Sequence, residues 1–192
     1  MAADSILVRR ARPADAAALG RMLDRCSPRT RYERFHGVVE AIPPGYLRRC
    51  LHGDGQEARV AELVTGELVG LASTGPVAPE VCELGVLVED RWQGKGIGRL
   101  LATDLTAHAA AAGATLLRLE LCRAHPWLLD YVVANLPVAA RLTDGCDVTV
   151  DIRLDVRLDV RLGVSPAPRS VSATAPPRPS SAAPRPGAPA RT

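Results

Sequence analysis

Val81-Cys82-Glu83-Leu84-Gly85-Val86-Leu87-Val88 runs into Glu89-Asp90-Arg91-Trp92-Gln93-Gly94-Lys95-Gly96-Ile97-Gly98, after which Arg99 to Ala112 is helical in composition. The order is strand, glycine loop, helix. Gly113 stops the helix and Ala114 to Leu121 reads as the next strand, so the unit closes as a parallel, right-handed strand-helix-strand crossover. The loop fails two nucleotide signatures. A dinucleotide fingerprint would need glycine at Arg99, and a phosphate loop of the P-loop type would need Ser or Thr where Gly96 stands. What remains is Gln93-x-x-Gly96-x-Gly98 at a helix N-terminus, where unobstructed N-H groups and the helix dipole favour a phosphate or pyrophosphate. Arg91, Lys95 and Arg99 add positive charge there.

Upstream, Ser5 to Arg10 reads as a strand and Pro13 to Cys26 as a helix. Ser27-Pro28 starts a second helix ending near His36, and Pro43-Pro44 a third through Leu51, closed by His52-Gly53. Ala58 to Val64 and Leu68 to Ser73 flank Thr65-Gly66-Glu67 as a hairpin. Downstream, Pro126 to Leu136 reads as a helix. Val138 to Thr143 and a strand from Cys146 are joined through Asp144-Gly145. The expectation is an α/β (α+β) fold: a mixed, mostly antiparallel sheet with one central parallel pair and helices on both faces.

From Asp151 the unit Asp-Ile/Val-Arg-Leu occurs three times, and residues 155–162 read as a repeat extension of the last strand. Gly163 to Thr192 holds eight of the sixteen prolines, four arginines and no acid, a composition expected to be disordered. One domain over 1–162 and a Pro/Ala/Arg-rich tail over 163–192 follow. Without that tail, twenty basic residues face twenty-one acidic ones, a net charge of about −1. That balance, with six aromatic residues in the body, argues against nucleic-acid binding. Five dispersed cysteines and four histidines without ligand spacing (His36, His52, His108, His125) give no metal site. No apolar run of membrane-spanning length occurs, and the expected compartment is the cytoplasm.

Gln93-Gly94-Lys95-Gly96-Ile97-Gly98 resembles the Q/R-x-x-G-x-G/A signature of the GNAT superfamily of acyl-CoA N-acyltransferases. The element order over about residues 5 to 154 is similar as well. The Glu83-to-Gln93 spacing and Ser27-Pro28-Arg29-Thr30-Arg31-Tyr32 are most similar to the catalytic domain of bacterial Pat-type protein lysine acetyltransferases. The resemblance implies an N-acetyltransferase that uses acetyl-CoA, without a metal, to acetylate a primary amine by direct attack in a ternary complex. The acceptor is a protein lysine or a small-molecule amine, and both a monomer and a homodimer stay open. A non-catalytic acyl-CoA sensor or partner-binding module is the alternative.

The resemblance also implies that the strands containing Val86 and Leu119 splay to admit the pantetheine arm. Val86, Leu87 and Val88 would pair with it through their main chain, while Gln93, Gly94, Lys95, Gly96, Ile97, Gly98 and Arg99 would hold the pyrophosphate. Glu83 stands where the family places a glutamate base, with Glu120 in reserve. The N-H of Leu87 or Val88 would polarise the carbonyl. Tyr131 falls near the family's acid, although residues 122–137 lack its usual Asn and Gly-Phe. Cys122 reads as a buried thiol. Tyr32, Phe35 and Trp127 read as core or acceptor wall.

Overall fold

The computed structural model describes residues 5–123 and 126–154. Its strands are β1 (Ile6–Arg10), β2 (Glu57–Leu63), β3 (Leu68–Ala78), β4 (Val81–Val88), β5 (Leu116–Cys122), β6 (Val138–Asp144) and β7 (Asp147–Arg153). They form one sheet in the order β1-β2-β3-β4-β5-β7-β6, antiparallel except for the β4–β5 pair. The helices are α1 (Ala16–Asp24), α2 (Pro28–Phe35), α3 (Pro44–His52), α4 (Ile97–Ala111) and α5 (Pro126–Asn135). The expected mixed sheet with a central parallel pair is therefore present. The repeat units from Asp155, the tail and His125 lie outside the described residues.

Helix boundaries follow local chemistry. Pro13 opens a short 3-10 turn before α1, because the Asp15 carboxylate accepts from the Arg12 N-H at 2.8 Å and sets α1 one turn later than a continuous helix. Ser27 caps α2 by accepting from the Thr30 N-H at 3.2 Å, with Pro28 at the first helical position. Two sheet details differ from the sequence reading. β3 continues past Ser73 to Ala78, with a register irregularity between Pro76 and Ala78 that accommodates a residue lacking an N-H. The β6–β7 turn is Gly145-Cys146, since Asp144 pairs with Asp147, and Gly145 has a φ of 54°. Glycine at the first central position suits a tight hairpin turn of the II′ kind, so the turn lies one residue later than Asp144-Gly145.

Each sheet face carries its own core. On one side α4 and α5 cover Leu84, Leu117, Leu121, Val148, Val150 and Ile152, with Ile97, Leu101 and Leu105 as the buried stripe of α4. On the other, Leu87 packs with Leu71 and Val60 under Leu19, Leu23 and Leu51 of α1 and α3. Burying each such aliphatic side chain contributes about 1.5–3 kcal/mol. β4 is thus read from both faces.

At the edge, Arg9 grips Asp15 with two hydrogen bonds of 2.8 and 2.9 Å and reaches Glu62 at 2.5 Å. Its guanidinium holds the Asp15 carboxyl below the usual carboxylate range against a smaller opposing effect of burial. A carboxyl lowered by folding stabilises the fold above its unfolded value of about 3.9, and that contribution disappears as pH falls through the lowered folded value. Asp15→Asn should therefore cost about 1–3 kcal/mol at pH 7. Thermal unfolding from pH 7 to pH 2 should show a shallower acid decline for the variant than for the native chain.

Candidate active site

β4 and β5 pair at only three positions, Val81 with Leu116, Cys82 with Leu117 and Glu83 with Arg118. Beyond these β4 continues along β3 to Val88 while β5 follows β7 to Cys122, so the strands part. The Glu89 N-H donates to the Val69 carbonyl at 3.0 Å, which fixes the backbone alternation: residues 83, 85 and 87 turn their N-H and C=O toward β3, and 84, 86 and 88 turn theirs into the gap. Gln93 Nε2 donates to the Val88 carbonyl at 3.0 Å, leaving the Val88 N-H and both backbone groups of Val86 along the open edge. This corrects the expectation for Leu87. Its backbone belongs to β3 and its side chain to the core, so the donors facing the gap are Val86 and Val88.

The glycine loop stands at the open end of that gap. Gly96 is the residue before α4 and has a φ of 82°, a left-handed conformation that costs residues with a Cβ about 1–2 kcal/mol. No side chain caps α4, so the N-H groups of Ile97, Gly98 and Arg99 have no intrahelical acceptor. A Cβ on Gly98 would lie 3.7 Å from Val86 and 3.8 Å from Val88, ordinary contact. The motif's tolerance pattern follows: glycine at 96, glycine or alanine at 98. Lys95 Nζ sits 4.1 Å from the Trp92 ring centroid, a cation-π contact. Arg91 is diverted to Glu67 and Glu89, which leaves Lys95 and Arg99 as the nearby cations from the sequence-predicted set.

The loop is tied to α2. Asp90 Oδ1 accepts from the Ser27 and Thr30 hydroxyls at 2.7 and 2.9 Å, and Oδ2 from the Ser27 N-H at 2.8 Å. Burial pushes the Asp90 carboxyl up, but these donors outweigh it and leave the group below its ordinary value. Gln93 Nε2 also reaches Thr30 Oγ1 at 3.2 Å. Gln93 thus braces the loop with its side chain.

The face of β4 carrying Glu83 and Gly85 looks toward α2. Among the described residues the Glu83 carboxylate makes no hydrogen bond or close ion pair. Its cross-strand neighbour Arg118 is engaged by Asp151 through bonds of 2.8 and 2.9 Å. Glu120 is exposed on the same face of β5, and Asp147 lies 3.0 Å from His36 Nδ1. Tyr32 stands beside the Cys146 thiol, which raises its phenol above the usual value. Phe35 meets Tyr46 edge-on at 5.8 Å, whereas Trp127 is 65% exposed and is not core. Tyr131 lies on α5, which packs against β5, and the residue is 43% exposed. Cys122 is a buried free thiol, as expected. Among the described residues no cluster of three His, Cys, Asp or Glu could hold a metal, and no helix is long and apolar enough to cross a membrane.

A sheet parted beside a parallel strand pair, with a glycine loop at its mouth, defines an acyl-CoA-dependent N-acyltransferase. The chain belongs to the acetyltransferase (GNAT) family, whose model matches residues 22–126, and it is an acetyl-CoA-dependent N-acetyltransferase. Its fold is similar to that of the GNAT domain of S. lividans PAT (TM-score 0.68, 20% identity, 76% of this chain and 89% of that one). It is also similar to yncA of Salmonella typhimurium, solved with its cofactor acetyl-CoA (TM-score 0.61, 21% identity, 81% and 97%). A third likeness is to the PaiA N-acetyltransferase of Thermoplasma acidophilum in complex with coenzyme A (TM-score 0.58, 16% identity, 78% and 99%). No curated protein matches the chain in sequence.

The loop geometry separates its glycines. Gly96→Ala should weaken acetyl-CoA binding roughly tenfold, because a strained left-handed alanine costs about 1–2 kcal/mol. Gly98→Ala should stay within about twofold of the native affinity, on the contacts above. Calorimetric titration with acetyl-CoA checks both, and equal losses would contradict this account of the loop.

Proposed function

We propose that the protein transfers an acetyl group from acetyl-CoA to a primary amine, a protein lysine or a small-molecule amine, by direct attack in a ternary complex. The observation that carries the reading is the unpaired backbone edge at Val86 and Val88, opening beside an uncapped helix N-terminus. The pantetheine arm would complete that edge as a strand does. The amides from Gly94 to Arg99, with Lys95 or Arg99, would take the pyrophosphate. The resemblance of the Glu83-to-Gln93 spacing and of Ser27 to Tyr32 to Pat-type protein lysine acetyltransferases favours a protein lysine as acceptor.

An aliphatic amine with a pKa near 10.4 is about 99.9% protonated at pH 7 and must lose a proton before attack. Glu83, without a close partner and on the face turned to α2, is the group that takes it, directly or through one water. The Val88 N-H, with that of Val86, donates to the thioester oxygen as negative charge develops there. Tyr131 on α5 is the group assigned to return a proton to the departing thiolate, completing the exchange of a C–S for a C–N bond.

Glu83→Gln removes the base and keeps the shape. Turnover should fall by two or more orders of magnitude at pH 7 while acetyl-CoA affinity holds within about twofold, and part of the rate should return at high pH as free amine accumulates. An equal loss of cofactor affinity would remove Glu83 from the role of base.

A further inference from the structure

The guanidinium of Arg34, on α2, lies flat against Gly85. A Cβ on Gly85 would fall 2.3 Å from Nη2, 2.4 Å from Cζ and 2.9 Å from Nε, so only glycine leaves this space to the arginine. The group is held from behind. Nη2 donates to the Tyr46 hydroxyl at 2.7 Å and approaches Ser73 Oγ at 3.5 Å, and Ser73 also accepts from Gln56 Nε2 at 3.0 Å. Its Cζ is 4.9 Å from the Tyr46 ring centroid and 5.3 Å from that of Phe35. Two features are left unexplained by this packing. Nε is buried without a hydrogen-bond partner, and Nη1, which is not buried in the same way, has no partner among the described residues and is the N-H group left for a ligand. Nor does any described carboxylate form an ion pair with Arg34, whereas Arg118, on the neighbouring strand, is paired with Asp151.

Glu83 stands two residues from Gly85 on the same face of β4, about 7 Å along the strand. An unmatched carboxylate and an unmatched guanidinium are thus neighbours on the proposed acceptor side. An acceptor carrying an ammonium and a carboxylate a few bonds apart presents one charged group to each of these neighbours. A guanidinium gives a carboxylate a charge-assisted hydrogen bond and cannot give up its charge, so Arg34, with Nη1 still to be matched, suits this task better than a lysine would.

We propose that Arg34 is a specificity-determining residue that receives the carboxylate of the acceptor, so that the preferred substrate is a small amine carrying a carboxylate within a few bonds, an amino-acid-like molecule. The inference rests on the acetyltransferase reading above and selects its small-molecule branch. Glu83 faces the amine and Arg34 the acid of the same zwitterion. Tyr46, Ser73 and Gln56 keep the guanidinium from swinging onto Glu83.

The test is CoA release by the full chain with saturating acetyl-CoA, using free α-amino acids, the matching α-amino amides, and a lysine blocked at both ends as a peptide mimic. The expected result is kcat/KM at least tenfold higher for the free acids than for their amides. Arg34→Gln and Arg34→Lys should raise KM for the acids at least tenfold and erase that preference, with the acetyl-CoA affinity unchanged. Amides or blocked lysine turned over as well as the free acids would overturn the proposal, as would an Arg34→Gln variant that slows all acceptors equally. The native panel alone decides even if both variants misfold. No CoA release from any amine, with acetyl-CoA bound, would instead sink the transferase reading and this inference with it.

Discussion

The parting of β4 from β5 after Glu83 and Arg118 is the constraint on which the site depends. Unpaired backbone groups in a sheet interior are expensive, on the order of 1–3 kcal/mol each when buried. Here the expense is contained because each strand keeps its outer partner: β4 stays with β3 to Val88, and β5 with β7 to Cys122. Only the inner edge is released. Gln93 satisfies one exposed acceptor, the Val88 carbonyl, from outside the sheet. A ligand that supplies alternating donors and acceptors restores the rest, which couples cofactor affinity to main-chain geometry more than to any one side chain.

The period of two along β4 divides the labour of the site. Leu84, Val86 and Val88 send side chains into the core under α4 and backbone groups into the gap. Glu83 and Gly85 send side-chain positions toward α2, and their backbone groups hold β3. A slip of one residue would put a leucine where Glu83, the proposed base, stands and would close the free edge, so register and the proposed site are fixed together. Leu87 shows the same rule from the other side: it anchors the second core and has no backbone group to offer the thioester.

Much of this was legible in the sequence because it is local. The glycine loop and the caps at Ser27 and Gly53 depend on residues a few positions apart, and the strand-helix-strand order on one continuous run from Val81 to Cys122. Local signals also set the errors. Asp144-Gly145 has the composition of a hairpin turn, but the pairing of β6 with β7 decides which two residues lie outside the ladder, and it chose Gly145-Cys146. β3 outlasts Ser73 because β4 supplies partners as far as Ala78, support that Pro76 in the local sequence does not suggest. Nothing local marks Arg34. In a short helix containing four charged residues it reads as surface, and its place against Gly85, Tyr46 and Ser73 arises from three elements far apart in the chain. Arg91 errs in the opposite direction, since it reads as a phosphate contact until Glu67 and Glu89 are seen to hold it.

Asp90 joins the two halves of the site. Its carboxylate holds the start of α2 through Ser27 and Thr30, and Gln93, three residues on, meets the same Thr30 hydroxyl. The loop proposed to grip the pyrophosphate and the helix that carries Arg34 therefore share a charged, hydrogen-bonded joint. Charge-assisted bonds of this kind are stronger than neutral ones and lose value steeply when bent. Ordering of the loop by a bound diphosphate would be felt at Thr30, one helical turn before Arg34. The groups proposed for cofactor and acceptor would then be positioned by one connected body, a route by which the first ligand to bind prepares the place of the second.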